Sequence, residues 1–366
     1  MSQIMIAPGK YIQGAQELEK LGDYAKSFGS RVLVLISAGG LKRFGQRLKA
    51  SFAKAEVTPE FVEFHGECSR SEIDRLLEIA REKQADVIVG LGGGKIFDTA
   101  KAVAHYAGVP VMIVPTIAST DAPCSALSVI YSDEGVFEEY LWLPSNPDMV
   151  IMDTRVIADS PLRLTVSGMG DALATWFEAR ACKASDADSC AGGKPTKASL
   201  ALAKLCFETL MEDGRKARSA LEAKANTKAV ESIIEANTLL SGLGFESAGL
   251  AGAHAIHNGM TALPGTHSLY HGEKVAFGTL TQLMLEDAPE SELNQVTDFC
   301  IDLGLPVTFE DLRIPGVTDE ELMRAAELAC APNDTLHNLP FEVDAVMVAE
   351  AMKAADAYGR ARKKAR

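Results

Sequence analysis

A glycine-rich stretch between a β-branched run and a helical pattern constrains this chain more than any other feature. Residues 87–89 are Val-Ile-Val, typical of a buried strand, and four of the five residues 90–94 are glycine. Phe97, Ala100 and Ala104 then follow at helical spacing. A strand, a glycine turn and a helix start present backbone N–H groups where the helix dipole favours an anion. The stretch therefore predicts a phosphate-binding turn, although it matches neither G-x-G-x-x-G nor the Walker P-loop. The alternative is a tight turn whose glycines only permit positive φ.

Strand and helix patterns alternate through the first half of the chain. The apolar runs 31–36 and 109–114 fit parallel strands that are buried on both faces. Such alternation predicts a doubly wound parallel sheet, in which ligands bind beyond the carboxyl ends of the strands. Residues 3–6 are also predicted as a strand, and residues 129–143 as a hairpin around an Asp-Glu-Gly turn.

From Asp159 onward the patterns are almost entirely helical. Pro161 after Ser160 is typical of a helix start, because proline suits the first helical position. We therefore predict an α/β nucleotide-binding domain over residues 1–158 and an all-helical domain over residues 159–366.

Composition narrows the classes of partner. The chain has 366 residues and a net charge of −14, with no basic run before residue 360, so nucleic acid is not an expected partner. We expect no membrane partner either, because no apolar stretch approaches the length of a membrane span and no N-terminal signal is present. The seven scattered cysteines, without a CxxC pair, predict reduced thiols in a cytoplasmic protein.

A hydroxyl-rich loop follows the predicted strand 109–114. Residues 115–125 carry hydroxyls at positions 116, 119, 120 and 125 and one carboxylate, Asp121. Side chains of this kind at the carboxyl edge of a sheet suit ribose and phosphate contacts. Taken alone, the loop is better explained as an ordinary Ser/Thr turn, and the adjacent glycine turn favours the binding interpretation.

Five of the seven histidines lie in the predicted helical domain. His254 and His257 share one helix face, and His271 begins another helix, where the dipole favours the neutral, metal-binding form. Asp171 is predicted in the first turn of a glycine-flanked helix. Two histidines and one aspartate would leave one tetrahedral position open, as in catalytic zinc sites. Singly, each histidine is better explained as a hydrogen-bonded core or surface residue, and no HExxH signature is present. A metal site and a purely structural role therefore both stay open at this point.

Five motifs in order along the chain resemble the glycerol dehydrogenases, the zinc-dependent branch of the iron-containing alcohol dehydrogenase family. The family has a dehydroquinate synthase-like fold, and the similarity covers nearly the whole chain. The motifs occupy residues 92–101, 115–123, 170–180, 253–259 and 270–278.

The resemblance implies an NAD-dependent oxidation of glycerol to dihydroxyacetone, and of related vicinal diols, by zinc-assisted hydride transfer. One Zn²⁺ per subunit would be held by Asp171, His254 and His271. A small polyol is the implied substrate, and a homo-oligomer is implied, as in the octamers of the resembling enzymes. The alternative is a phosphate-substrate enzyme of the same fold, such as a glycerol-1-phosphate dehydrogenase or a dehydroquinate synthase. That class needs additional basic residues, and the motifs offer mainly Lys95 and Lys274. A non-enzymatic metal- or nucleotide-binding module is a further alternative.

The resemblance also implies individual site residues. Asp121 would hydrogen-bond the substrate hydroxyls, and Phe245 and His257 would complete the catalytic set near the nicotinamide and the substrate. The implied NAD-binding residues are Ser37, Gly92, Gly93, Gly94, Lys95, Asp98, Thr116, Ser119, Ser125, Leu127 and Tyr131.

Two positions depart from the pattern of the family. Thr175 stands where iron-dependent members carry a further histidine ligand, which favours zinc with an open site. Ser37 stands where glycerol dehydrogenases usually carry an acid that binds the adenosine ribose. Because an acid there would repel a 2′-phosphate, and Lys42 and Arg43 follow, we expect the preference for NAD over NADP to be relaxed.

Overall fold

The computed structural model describes residues 2–366, which divide into two compact units. The α/β unit comprises residues 7–118 and 122–160; the helical unit comprises the residues before Ala7, residues 119–121 and residues 161–366. Within residues 2–366 no disulfide joins any of the seven cysteines. No helix in that range combines the length and the apolar character that a membrane span requires.

The α/β unit contains a six-stranded parallel sheet and a separate antiparallel hairpin. Its strands are β1 (Tyr11–Gly14), β2 (Arg31–Ile36), β3 (Thr58–Glu63), β4 (Val87–Gly92), β5 (Val111–Pro115), β6 (Leu127–Tyr131), β7 (Phe137–Trp142) and β8 (Met149–Asp153). Its helices are α1 (Leu21–Lys26), α2 (Ala38–Lys54), α3 (Arg70–Glu82), α4 (Gly94–Ala107) and α5 (Thr154–Ala158).

The apolar runs of the sequence form the centre of this sheet. Val34, Val89, Val114 and Ile151 from four neighbouring strands are fully or almost fully buried in one core with Phe52 of α2. The strand predicted at residues 3–6 is wrong. In that segment only Gln3 forms an isolated bridge, whereas the first strand is the half-buried β1. β1 lies at a sheet edge, so it lacks the continuous apolar run that marks the central strands.

The order of the strands defines a topological switch point. The sheet runs β1-β8-β5-β4-β2-β3, so the chain builds outward in one direction from β2 and in the other from β4. Ile36 of β2 pairs with Leu91 of β4, so these two strands end side by side. Ser37 follows β2, and the glycine turn follows β4. In doubly wound sheets this is the location at which nucleotides bind.

The helical unit consists of helices α6 to α14, with a π-helical segment before α9. Their bounds are α6 (Leu162–Ser185), α7 (Lys197–Glu222), α8 (Lys228–Glu235), the π segment (Ala236–Leu240), α9 (Ser241–Ala248), α10 (Gly252–Met260), α11 (His271–Leu285), α12 (Glu290–Leu303), α13 (Asp319–Ala329) and α14 (Ala345–Ala365). The predicted α/β fold followed by an all-helical part is confirmed.

Candidate functional site

The three predicted metal ligands lie together in the helical unit, on three different helices. Asp171 lies on α6, His254 on α10, and His271 at the first position of α11. One potential ligand atom from each residue lies within 4.8 Å of the other two. The Nε2 atoms of His254 and His271 are 3.4 Å and 3.0 Å from the same oxygen, Asp171 Oδ1.

Asp171 lies in the middle of its helix, so the predicted first-turn position is wrong. α6 begins at Leu162 and continues through Gly168 and Gly170, which precede the aspartate. Gly170 serves packing rather than helix termination. A Cβ on Gly170 would collide with the carbonyl oxygen of Gly272, and a Cβ on Gly272 with that of Ser167. The backbones of α6 and α11 therefore meet directly, which brings Asp171 beside His271.

The hydrogen bond at the Nδ1 atom of His254 fixes its tautomer. Nδ1 lies 2.6 Å from Glu178 Oε2, and because an ionised carboxylate only accepts, Nδ1 carries the proton. The other carboxylate oxygen, Oε1, accepts the backbone N–H groups of Ala251 and His254 at 2.9 Å and 3.0 Å. Glu178 thus caps the start of α10 and turns the Nε2 lone pair of His254 toward Asp171, as outer carboxylates do in zinc sites.

A longer chain of hydrogen bonds sets the tautomer of His271. The amide nitrogen of Asn258 donates to Asp334 at 3.0 Å, which makes the amide oxygen the acceptor for His257 Nδ1 at 3.1 Å. His257 Nε2 then accepts from His271 Nδ1 at 3.0 Å. The Nε2 atom of His271 is left with its lone pair directed at Asp171.

The cluster fits a divalent cation. Two Nε2 lone pairs and a carboxylate oxygen converge, and that oxygen, Asp171 Oδ1, is buried without a hydrogen-bond donor among residues 2–366. Burial lowers the pKa of His254, but the carboxylates of Glu178 and Asp171 outweigh burial and raise that pKa well above its ordinary value. The site therefore favours positive charge, which is a proton on His254 Nε2 when no cation is bound and a metal ion when the nitrogen is free to ligate. Two His nitrogens with one carboxylate are ligands that suit Zn²⁺.

Asp121 lies next to this cluster. Its backbone N–H donates to Asp171 Oδ2 at 3.3 Å, and its carboxyl accepts from the Ser241 hydroxyl at 2.6 Å. Burial and the negative charge of Asp171 raise the pKa of Asp121 well above its ordinary value. Ser241 also lies 2.9 Å from the hydroxyl of Thr175, the residue at the position of the further histidine ligand. The π-helical segment ends immediately before Ser241, and such segments are frequent at functional sites.

The structure also places the other two predicted catalytic residues in the helical unit. His257 is buried beside His271, and burial, followed by the charges of His271 and Lys274, lowers its pKa. Phe245 is buried on α9, one turn after Ser241. Contacts of either side chain with a substrate or a nicotinamide stay predictions.

The glycine turn forms an open cradle at the start of α4. None of its glycines has a positive φ, so the alternative that these glycines serve only to permit positive φ is wrong. A Cβ on Gly90 would lie 2.7 Å from that of Ala100, so this glycine lets the helix pack against its strand. A Cβ on Gly94 would meet nothing within 4 Å, and Gly93 offers no capping side chain. The helix N-terminus is therefore open to an anion such as a pyrophosphate.

Several predicted cofactor residues surround this turn and make contacts within the protein. Lys95 Nζ is 2.6 Å from Glu67, and the Thr116 hydroxyl donates to the Gly92 carbonyl at 3.1 Å. Ser37 caps α2, with its hydroxyl accepting from the Gly40 N–H at 3.1 Å. The Asp98 carboxylate accepts from the Val129 N–H at 3.3 Å and is turned into the protein.

Sequence reasoning missed several residues that organise these sites. Glu178 could have been found, because it follows Asp171 by seven residues and Thr175 by three, on one helix face. Ser241 gave no such signal, because its partners are distant in the sequence. Asn258 and Lys101 lie within the family motifs, but Asp334 and the loop carbonyl of Ala122, which show what they do, lie elsewhere in the chain.

Comparisons with known proteins identify the family of the chain. Residues 8–154 match the family described as iron-containing alcohol dehydrogenase. The chain is 54% identical over 360 residues to the glycerol dehydrogenase of Escherichia coli O6:H1 and 52% identical over 359 residues to that of Thermotoga maritima. Each of these alignments covers 98% of this chain and 98% of the relative.

The fold agrees as well. The crystal structure of glycerol dehydrogenase from Schizosaccharomyces pombe matches with a TM-score of 0.96 at 40% identity, covering 99% of this chain and 92% of that one. The chain therefore belongs to the iron-containing alcohol dehydrogenase family, among its glycerol dehydrogenases.

Proposed function

We propose that this protein catalyses the NAD-dependent oxidation of glycerol to dihydroxyacetone and also accepts related vicinal diols. Relatives more than half identical over nearly the whole chain are glycerol dehydrogenases. The observation that carries the proposal is the convergence of Asp171, His254 and His271 on one point beside Asp121.

The residues present fit the two groups that this reaction needs. Asp171, His254 and His271 would hold one Zn²⁺ per subunit, and the turn at Gly92–Gly94 would hold the pyrophosphate of NAD. When bound, zinc supplies Lewis-acid activation of the substrate hydroxyl, and NAD accepts the hydride from C2 of glycerol. The Thr175 hydroxyl is engaged with Ser241, which supports a site with three protein ligands and an open position.

Asp121 would bind and orient the diol. Its carboxyl is held by Ser241, and its backbone N–H is held by Asp171, so its direction is fixed from both sides. A fixed acceptor beside the metal ligands can align a substrate hydroxyl, which places the reacting carbon for hydride loss. The hydroxyl proton would pass to water, because both ring nitrogens of His257 already have partners within the protein.

We also propose cofactor contacts, domain roles, a cellular location and an oligomeric state. NAD would contact the edge that carries Ser37, Lys95, Thr116 and Ser125, with NAD preferred over NADP only moderately. Residues 1–158 would act as the NAD-binding domain and residues 159–366 as the metal-binding and catalytic domain. The enzyme would work in the cytoplasm as a homo-oligomer, which light scattering of the purified protein would test.

The phosphate-substrate alternative is not favoured. Relatives at about half identity are named for glycerol rather than for a phosphate ester. Of the two candidate phosphate-binding lysines, Lys95 is paired with Glu67. Burial lowers the pKa of the other, Lys274, which weakens it as a permanent cation.

Formation of NADH from glycerol, 1,2-propanediol and glycerol 1-phosphate tests the proposal, with dihydroxyacetone for the reverse direction. Glycerol and propanediol should be oxidised, and dialysis against a chelator should abolish turnover until Zn²⁺ is restored. Faster turnover of the phosphate ester, or no NADH from glycerol with the zinc-loaded protein, would contradict it.

A further inference from the structure

Lys101 is a buried cation that the proposed reaction does not use. It lies on α4, and its side chain is 0% exposed. Its ammonium group donates to the carbonyl oxygens of Ala122 and Leu127 at 2.7 Å and 2.9 Å, and to the Ser125 hydroxyl at 3.2 Å. All three N–H groups are thereby directed at one short segment.

Asp98 lies one turn earlier on the same helix and acts on the continuation of that segment. Its carboxylate is 3.5 Å from Lys101 Nζ and accepts the Val129 N–H at 3.3 Å. Its backbone carbonyl accepts the Ser128 hydroxyl at 2.9 Å. Two residues of α4 therefore hold residues 122–129 at five points.

The segment has little regular structure of its own. Ala122–Cys124 form a single 3₁₀ turn. β6 pairs along its length with β7, which ends at the exposed Trp142, and beyond that ribbon Tyr131 forms one isolated bridge to Ser69. A two-stranded ribbon is marginally stable alone. Cys68 and Asn146 each contribute one hydrogen bond to this segment, and the Asp98–Lys101 pair contributes the larger set that joins it to α4.

A buried ion pair is a poor device for stability alone, because the removal of both charges from water offsets most of their attraction. Its better-attested use is to specify one conformation. Here the conformation that is specified belongs to the segment that carries Ser125, Leu127 and Tyr131, three predicted cofactor residues.

We propose that Asp98 and Lys101 are positioning residues that hold residues 122–131 in the shape that binds the dinucleotide. This inference rests on the proposed NAD site and refines it. Asp98, which the family resemblance implies as a cofactor contact, acts through Lys101 and strand β6 instead. Without the pair, the segment would have to become ordered when the cofactor binds, and that ordering would reduce the free energy of cofactor binding.

The test is direct binding of NADH, followed by its fluorescence, to Lys101→Met and Asp98→Asn proteins, with the exposed Lys54→Met as the matched control. We expect Lys101→Met to raise the NADH dissociation constant about tenfold and Asp98→Asn to raise it less, because only part of the ordering is lost. Zinc content should stay within about twofold of wild type in both variants, since the metal ligands belong to the helical unit. Lys54→Met should bind NADH like the wild type.

A purely structural role would lower the thermal midpoint while leaving NADH affinity unchanged in the folded protein, and that result would overturn the inference. If Lys101→Met does not fold, an unchanged NADH affinity in Asp98→Asn overturns it equally. The NADH-binding measurement contains no polyol, so its result can be interpreted even if the protein does not oxidise glycerol. A wild-type protein that does not bind NADH would overturn both this inference and the proposed NAD site.

Discussion

Buried charges are used in opposite ways in the two units. In the α/β unit, the ammonium of Lys101 has three acceptors, and the Asp98 carboxylate has a backbone donor and a counter-ion. In the helical unit, Asp171 Oδ1 is equally buried but has no hydrogen-bond donor in the part of the chain that the structure describes, and the Nε2 atoms of two histidines face it.

The difference separates a scaffold from a binding site. A buried charge whose hydrogen-bonding capacity is filled by the protein needs no ligand and fixes local shape. A buried carboxylate oxygen without a donor is costly, and the cation that we propose at this site would remove that cost. The Nδ1 atoms of His254 and His271, which face away from Asp171, both have hydrogen-bond partners. The unsatisfied hydrogen-bonding capacity is therefore confined to the point where the two Nε2 atoms meet Asp171 Oδ1.

Removal of one ligand should have the largest effect. His254→Ala should lose the stoichiometric metal and abolish turnover, while the helical circular dichroism spectrum persists, because Glu178 still caps α10 through Ala251. Metal analysis by mass spectrometry, together with the NADH assay, measures both results.

The exposed His105 on α4 provides the matched control, and His105→Ala should keep both metal and turnover. Full activity in His254→Ala, or a full complement of zinc retained in it, would refute the assignment of the metal ligands.

Glu178→Gln should have the next largest effect. The glutamine oxygen can still accept the two backbone N–H groups, but the amide nitrogen then faces His254 Nδ1 and can only donate to it. The ring proton would therefore move to Nε2, the nitrogen that would ligate the metal. Loss of such an outer partner typically lowers metal affinity about 10–100-fold. Competition with a chromophoric chelator would measure this change.

Glu212→Gln, at an exposed position on α7, should leave zinc affinity unchanged. Equal zinc affinity in Glu178→Gln and wild type would mean that the carboxylate only caps the helix.

Asp121→Asn should impair the use of substrate more than the binding of cofactor. A hydrogen bond to a charged group contributes about 1.5–3 kcal/mol, so kcat/KM for glycerol should fall roughly ten- to hundredfold. Ser241→Ala should give a smaller decrease, because it frees the Asp121 carboxyl without removing it. Steady-state kinetics at saturating NAD separates the two variants, and an effect confined to NAD binding would contradict the role of Asp121.

Features that depend on residues close together in the sequence were predicted correctly, and features that depend on contacts between distant residues were not. The strand and glycine turn at residues 87–94 were predictable, because local apolar pattern and local backbone chemistry determine them. The position of Asp171 was predicted wrongly, because Gly170 beside it does not start the helix but allows contact with a helix about a hundred residues later in the chain. Ser241 could not be assigned, since its partners depend on tertiary packing that no local pattern encodes. For Lys101 only the pairing with Asp98 on the same helix is local, and its contacts with residues 122–127 are not.

The smallest expected effect concerns Ser37, at the end of β2. A 2′-phosphate carries nearly two negative charges at neutral pH, and a carboxylate at this position would repel it in a partly desolvated pocket. Ser37→Asp should preserve the fold, because aspartate caps a helix as well as serine does and the Gly40 N–H keeps an acceptor. It should lower kcat/KM for NADP relative to NAD by at least roughly tenfold, about 1.4 kcal/mol. Lys42 and Arg43 on α2 would instead favour the 2′-phosphate if they reach it, because they are cations. In that case Lys42→Gln should also lower kcat/KM for NADP.

The control adds the same charge elsewhere in the α/β unit. Ser27 is exposed after α1, and Ser27→Asp should leave the ratio of NADP to NAD efficiency unchanged, since a distant surface charge is screened at physiological ionic strength. If both variants shift the ratio equally, the effect is general electrostatics rather than contact with the ribose. If Ser37→Asp leaves the ratio where it was, the adenosine ribose does not lie at the end of β2. The switch point between β2 and β4 would then hold the pyrophosphate alone.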